Sequence, residues 1–164
     1  MQIEKYKIDT HNQSLVKEHQ RKYEFLSAGI RDSEKILQKL MDFQVAIPSW
    51  ALGTGGTRFG RFSGGGEPRS LEEKIEDIGL LHALNRSSGA VSLHIPWDRP
   101  KDAAAIRTLA AQHGLRFDAM NSNTFQDQPG QKHSYKFGSL QHVRKEVRQQ
   151  AIEHNIEVIR HGIE

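Results

Sequence analysis

Aromatic and hydrogen-bonding side chains follow three short apolar runs of this chain. They are Trp50; His94, Trp97 and Asp98; and Asp118, Asn121, Asn123 and Phe125. Aromatic faces pack on C–H surfaces, and amides pair with hydroxyl groups. A set of this kind, with one imidazole in it, is typical of a site for a polar, uncharged ligand such as a sugar.

His94 interrupts an apolar run, between Leu93 and Ile95. Two interpretations are open: a core histidine satisfied by the backbone, or a general acid or base, since an imidazole titrates near neutral pH. Asp98, four residues later, either holds the imidazole in one tautomer or caps the following helix, and the pattern favours the cap. The surroundings of the two side chains decide between these alternatives.

The stretch WALGTGGTRFGRFSGGGEPRS, residues 50–70, contains seven glycines and one acidic residue, Glu67. It lacks the Gly-Lys-Ser/Thr of a Walker loop, and its first glycines do not open directly into a helix. A phosphate cradle is therefore disfavoured. Phe59 and Phe62 argue against a disordered linker, because aromatic side chains in a loop usually bury in a pocket or on a partner. We interpret the stretch as a loop that borders a site.

Possible metal ligands are sparse near the predicted strand ends. His94, Asp118 and His133 are the plausible groups there, and we do not expect them to form a complete metal site. The chain has no cysteine, which excludes thiolate metal sites and disulfides. The histidines on predicted helices are interpreted as surface residues: His82, His113, His154 and His161.

Hydrophobic periodicity predicts the elements that position these residues. Helices are predicted at 12–43 (as one or two), 70–85, 100–113 and 143–163. Strands are predicted at 43–50, 90–97 and 115–120, and a polar loop at 121–138. Ser70 and Glu73 form a capping box at the start of the helix at 70–85.

The order after residue 43 is βαβαβα. Apolar strands separated by helices indicate an α/β fold with a parallel sheet, either open and doubly wound or part of a (β/α)₈ barrel. Three strands cannot close a barrel, which takes roughly 250 residues, and the chain ends inside a predicted helix, as a fragment would. We divide it into an N-terminal helical segment, 1–43, and the βα units of 44–164.

Composition and charge narrow the class of protein. The 164 residues include 23 Lys and Arg and 20 Asp and Glu, which gives a net charge of +3 with neutral histidines. Interspersed charges of both signs permit contact with nucleic acid but do not favour it. No segment approaches the roughly 18 apolar residues of a membrane span, and the N-terminus lacks the apolar core of a signal peptide. We expect a soluble cytoplasmic protein without nucleic-acid or membrane partners.

Three long motifs carry a resemblance to a known enzyme family. They are VAIPSWALGTGGTRFGRFSGGGEPR, VSLHIPWD and FDAMNSNTFQDQPGQKHSYKFGSL. Over residues 43–164 the chain resembles the N-terminal part of the L-rhamnose isomerase family, in its bacterial branch with broad sugar specificity. The N-terminal helices are less similar.

The resemblance implies a (β/α)₈ TIM barrel, usually tetrameric, that interconverts an aldose and a ketose with a divalent metal such as Mn²⁺. The sugar ring is opened, and hydrogen then moves between C1 and C2 by a hydride shift or through an enediol. This chain would supply the first three βα units and one wall of the substrate pocket. The family's metal ligands come from later strands, so the Mn²⁺ ligands are expected outside this chain.

The resemblance also implies roles for single residues. His94 would lie beside the ring oxygen of the sugar and open the ring. Three aromatic residues would line the pocket: Trp50, Trp97 and Phe125. The loop at 53–66 would close a site, with Phe59 reaching into a neighbouring subunit. From their places at the strand ends, Asp98 and Asn121 are predicted to support the site.

Alternatives to an isomerase remain. A non-catalytic sugar-binding or structural protein derived from the same barrel would use the same aromatic residues. The hypothesis of a nucleic-acid-binding domain is supported only by the excess of basic over acidic residues. Because the later strands are missing, we expect the chain on its own to be inactive and to associate through exposed apolar surfaces.

Overall fold

Helices and short strands alternate along the chain in the computed structural model, which describes residues 3–29, 31–52, 56–57, 60–61 and 65–164. The helices of these residues are α1 (Lys5–Ser27), α2 (Ser33–Met41), α3 (Leu71–Asn85), α4 (Ala103–Gln112) and α5 (Lys145–Ile163). The strands are β1 (Ala46–Pro48), β2 (Gly56–Thr57), β3 (Gly60–Arg61), β4 (Ala90–Ile95) and β5 (Arg116–Ser122). The fold is α/β, as predicted. No described helix is long and apolar enough to cross a membrane.

Three strands form a parallel sheet in the order β1-β4-β5, with β4 in the centre. Ala90 of β4 pairs with Ala46 of β1 and with Arg116 of β5. The register between β4 and β5 shifts after Val91, and His94 then lies beside Asn121. The C-terminal ends of the strands therefore meet at one edge, as expected for a parallel sheet. β2 and β3 pair separately and antiparallel.

The main apolar core lies between this sheet and helices α3 and α4. Its buried members are Leu71, Ile75, Ile78, Val91, Leu93, Ile106, Ala110 and Leu115. Val91 and Leu93 of β4 point toward the helices, so alternation directs Ser92 and His94 to the other face. Burial of each large aliphatic side chain contributes roughly 1.5–3 kcal/mol. The residues on either side of His94 thus fix the face from which it projects.

Helix α3 begins at the predicted capping box. Ser70 Oγ accepts a hydrogen bond from the Glu73 N–H at 3.2 Å, and the Glu73 carboxylate accepts one from the Arg69 N–H at 2.5 Å. The first bond satisfies a backbone donor that a helix start leaves unpaired. The second goes to the residue before the cap, not to the Ser70 N–H as in a complete capping box. The buried Leu71 and Ile75 follow in the first turns, so the cap and the core together fix where α3 meets the sheet.

The N-terminal helical segment and β1 differ in detail from the prediction. The segment forms two helices, and α1 begins at Lys5 rather than at residue 12. Neither helix has a buried residue. β1 is shorter than the predicted strand at 43–50, because Ser49–Ala51 turn into a single 3₁₀ turn that carries Trp50.

Two later boundaries also differ. α4 begins at Ala103 rather than at Pro100, because the Asp102 carboxylate accepts the Ala105 N–H at 3.0 Å and caps the helix there. β5 extends into the predicted polar loop as far as Ser122. Its main chain stays paired with β4 to the end of that strand.

Candidate functional site

His94 lies at the centre of an aromatic cluster at the C-terminal edge of the sheet. Its imidazole stacks on the Trp97 ring, with centroids 4.3 Å apart and planes 18° apart. Trp50 meets the imidazole edge to face at 5.4 Å, and Phe125 does so at 5.8 Å. The structure therefore brings together four predicted site residues that lie at or after the C-terminal ends of three different strands.

The cluster pairs a buried imidazole with exposed aromatic rings. His94 is 5% exposed, whereas Trp50 is 40%, Trp97 44% and Phe125 65% exposed. Open aromatic faces beside a polar group suit a ligand with one apolar C–H face and hydroxyl groups at its edge. A sugar has this character.

The protonation state of His94 follows from its surroundings. Burial disfavours the imidazolium and lowers the pKa of His94 below its ordinary value of 6.5. The negative charge of Asp98 opposes this shift, and the positive charges of His154 and Lys74 add to it. The imidazole is therefore neutral at pH 7. Its Nε2 is buried and has no hydrogen-bond partner among the described residues, so this atom is suited to exchange a proton with a ligand.

Asp98 fills neither of the two roles considered from the sequence. Its Oδ2 accepts the main-chain N–H of His94 at 2.7 Å and the hydroxyl of Ser49. Its Oδ1 pairs with Lys74 Nζ at 2.6 Å. The carboxylate thus binds the backbone of His94 rather than accepting from the ring, and the cap of α4 is Asp102.

Asn121 lies within β5, not in a loop after it. It is exposed and neighbours His94 across the sheet. Both side chains therefore stand on the same face of the sheet. The supporting role of Asn121 stays a prediction. Phe59 lies outside the described residues, as do residues 53–55, 58 and 62–64 of the same loop. The lid role of this loop stays a prediction.

Two further polar residues lie next to this cluster: Asn123, a member of the predicted strand-end set, and His154. Asn123 is 1% exposed, and neither polar atom of its side chain has a partner among the described residues. Its N–H reaches both the Ile95 carbonyl at 3.1 Å and His154 Nε2 at 3.2 Å. His154, interpreted as a surface residue of α5, is 15% exposed at its side chain. Only the packing of α5 on β5 reveals its position.

Lys74 and Ser49 were also missed, although α3 offered a signal. Lys74 follows Leu71 by three residues and precedes Ile78 by four, so helical periodicity places it on the buried face of α3. A lysine on such a face needs a partner, and Asp98 is that partner. Ser49 gave no comparable signal.

Within the part of the chain that the structure describes, no three His, Asp or Glu side chains converge as a metal site would require. Asp118, one of the three groups considered from the sequence, is exposed on β5. These residues do not fit a resident Mn²⁺ ion.

Comparison with known proteins supplies two relatives. The chain is 48% identical over 159 residues to a protein of Rhizobium meliloti, a match that covers 94% of the chain. It is 54% identical over 129 residues to a protein of Mesorhizobium japonicum, a match that covers 79% of the chain. Both relatives are probable sugar isomerases.

The names of both relatives state a sugar isomerase, and neither name specifies L-rhamnose. The aligned region spans 37% of the length of the first relative and 30% of the second. No known family model matches the chain. The match to the Rhizobium relative extends into the N-terminal helices, since it covers nearly the whole chain.

Proposed function

We propose that this chain forms the N-terminal part of an aldose–ketose isomerase that acts on L-rhamnose or a closely related sugar. The observation that carries the proposal is the neutral, buried imidazole of His94 enclosed by Trp50, Trp97 and Phe125. Similarity to two probable sugar isomerases supports the same class of reaction.

The site suits the first step, which is the opening of the cyclic sugar. In that step the anomeric hydroxyl loses its proton, the bond from C1 to the ring oxygen breaks, and the ring oxygen gains a proton. A neutral imidazole can carry this proton, by taking it from the anomeric hydroxyl and giving it to the ring oxygen. The exposed rings of Trp50, Trp97 and Phe125 would hold the C–H face of the sugar while His94 meets its oxygen edge.

Later steps belong to the rest of the protein in this proposal. The transfer of hydrogen between C1 and C2 would use a divalent metal such as Mn²⁺, whose ligands would come from residues outside this chain. The parallel sheet would be the first part of a TIM barrel, and the complete protein would be a cytoplasmic homotetramer in which the loop at 53–66 covers a site.

The alternative is a protein that binds a sugar without converting it. The exposure of the three aromatic rings favours it equally, because stacking requires no catalytic group. Such a binding protein differs from the isomerase in one respect. His94 would contribute to the affinity for the sugar and not to the rate of a reaction.

The proposal is tested by assaying the complete gene product with Mn²⁺ and four aldoses: L-rhamnose, L-lyxose, L-mannose and D-allose. Ketose formation from at least one is expected, and the 164-residue chain assayed in parallel should form none. A folded complete protein that forms no ketose from any of the four would contradict the proposal. A change of tryptophan fluorescence with sugar, but without ketose, would favour the binding protein instead.

A further inference from the structure

The carboxylate of Asp98 joins three elements behind the aromatic cluster. Ser49, directly after β1, donates its hydroxyl to Oδ2. Lys74 of α3 donates to Oδ1 at 2.6 Å. The main-chain N–H of His94, in β4, donates to Oδ2 at 2.7 Å. One side chain thus ties the end of β1, the first turns of α3 and the end of β4 together.

These contacts are shielded from water. Ser49 is 0% and Asp98 1% exposed, and the Lys74 side chain is 13% exposed. A buried carboxylate is costly unless it is paired and hydrogen-bonded, and removing one partner leaves the other charge uncompensated. Breaking this cluster should therefore cost more stability than breaking an exposed ion pair, which contributes little to the free energy of folding.

The same carboxylate closes the turn that carries Trp97. The main-chain N–H of Asp98 donates to the His94 carbonyl at 2.9 Å, while its side chain binds the His94 N–H. Both ends of the segment from His94 to Asp98 are held by this pair of contacts. Trp97 lies within that segment, and its ring stacks on the imidazole. Holding Asp98 in place therefore fixes how the two rings meet.

We propose that Ser49 and Lys74 are positioning residues that act through the Asp98 carboxylate to hold His94 against Trp97. The inference deepens the proposed function, on which its kinetic consequence rests. Neither residue touches a ligand in this account. Each acts on the place of His94, the group that would meet the sugar.

The electrostatic part of this arrangement can be separated from the geometric part. The charged groups that act on His94 are Asp98, which favours the imidazolium, and His154 and Lys74, which disfavour it. Replacing Lys74 with Met removes one of the opposing positive charges, so the pKa of His94 should rise. Replacing Ser49 with Ala leaves every charge in place and loosens only the hold on Asp98.

Tryptophan fluorescence of the 164-residue chain gives the direct test. The chain has two tryptophans, Trp50 and Trp97, and both contact His94. An imidazolium in contact with an indole quenches its emission, so emission as a function of pH reports both the titration of His94 and the contact. The variants are Lys74→Met, Lys74→Arg and Ser49→Ala, with the exposed Lys145→Met as the matched control.

We expect Lys74→Met to move the quenching midpoint to higher pH and to reduce the amplitude of quenching. Ser49→Ala should reduce the amplitude alone, while Lys74→Arg and Lys145→Met should resemble the wild type. If circular dichroism shows that Lys74→Met does not fold, the comparison of Ser49→Ala with Lys74→Arg tests the positioning role instead. The proposal would be overturned if folded Ser49→Ala and Lys74→Met showed the same fluorescence titration as the wild type. It would also be overturned if the fluorescence of the wild type did not depend on pH.

Kinetics of the complete gene product extend the test. Misplacing a reacting group by a fraction of an ångström costs rate, so we expect kcat to fall at least about tenfold in Lys74→Met and Ser49→Ala, more than KM changes. Recovery in Lys74→Arg would separate positioning from loss of fold. The fluorescence test requires no catalysis. An inactive wild-type protein would therefore contradict the proposed function, while the fluorescence result would still decide whether Ser49 and Lys74 position His94.

Discussion

His94 combines burial with a ring nitrogen that has no partner in the described part of the chain. Its neighbours Leu93 and Ile95 are buried, which forces the imidazole onto the opposite face of β4. There it stacks on Trp97, and Asn121 is its register partner on β5. The residue types and their places after strands were enough to predict this cluster. The hydrogen bonds of Asp98 were not predictable, because Ser49 and Lys74 reach it from distant parts of the chain.

At the scale of this residue we predict that acid destabilises the protein through His94. In the unfolded chain the imidazole takes up a proton near its ordinary pKa of 6.5, whereas the folded protein holds a lower pKa. The unfolded state therefore binds more protons as the pH falls below 6.5, and the free energy of unfolding decreases. Urea unfolding at pH 7 and pH 5 measures this loss.

The matched comparison uses His94→Gln and His19→Gln. The first removes the buried titrating group and should reduce the loss of stability between the two pH values. The second replaces an exposed histidine of α1 and should leave the loss unchanged. An equal pH dependence in His94→Gln and the wild type would show that burial does not shift this imidazole.

The elements owe their places to caps and to apolar stripes, which is why their order was predictable and their ends were less so. The start of α3 could be predicted from Ser70 and Glu73. The start of α4 was not, because Pro100 and Asp102 both suit a helix start and only the bond to Ala105 chooses between them. The end of β5 depends on pairing with β4, which no local pattern contains.

The cap of α3 gives a prediction at this scale. Ser70→Ala removes the acceptor of the Glu73 N–H and should lower the free energy of unfolding by about 1 kcal/mol. Ser14→Ala is the control, because Ser14 is an exposed residue inside α1 where alanine does not disfavour the helix. Urea unfolding of both variants measures the difference. Equal stabilities for the two would refute a stabilising cap.

The segment between β5 and α5 is organised around Asp127. The Tyr135 N–H donates to its Oδ1 at 2.6 Å, and Gln131 Nε2 does so at 3.4 Å. The Ser134 side chain and then the Tyr135 N–H hold the pKa of Asp127 below its ordinary value of 3.8. Tyr135 packs with Val147 and Ala151 of α5 in a second small core. Asp127 therefore links this segment to the helix that follows it.

Replacing Asp127 with Ala should expose the Tyr135 amide. A hydrogen bond to a charged acceptor contributes roughly 1.5–3 kcal/mol, so its loss should speed hydrogen exchange of that amide by at least about tenfold. Gln126→Ala, at the exposed neighbouring position, is the control. Protection of Tyr135 that is the same in both variants would argue against the role of Asp127.

For the whole molecule, the notable feature is apolar surface outside the core. α5 carries a row of exposed isoleucines, Ile152, Ile156, Ile159 and Ile163, and α2 exposes Ile36, Leu37, Leu40 and Met41. Hydrophobic periodicity predicted a helix at each of these places, but such an apolar stripe normally marks a buried face. Contiguous apolar surface of this kind favours association with other protein surfaces.

We therefore predict that the 164-residue chain associates with itself. Ile159→Lys should shift sedimentation toward the monomer, because it places a charge in the centre of the α5 row. Gln149→Lys adds the same charge on α5 without removing apolar surface, so it should sediment as the wild type does. A wild-type chain that stays monomeric at millimolar concentration would contradict the prediction.

The most direct measurement is the kcat/KM of ketose formation by His94→Gln in the complete gene product, relative to the wild type and to His19→Gln. A group that moves a proton in the reaction contributes roughly 10²–10⁴-fold, so we predict a loss of at least about 100-fold for His94→Gln and none for His19→Gln. An unchanged kcat/KM in a folded His94→Gln protein would contradict the claim that the imidazole at the centre of the aromatic cluster takes part in the reaction.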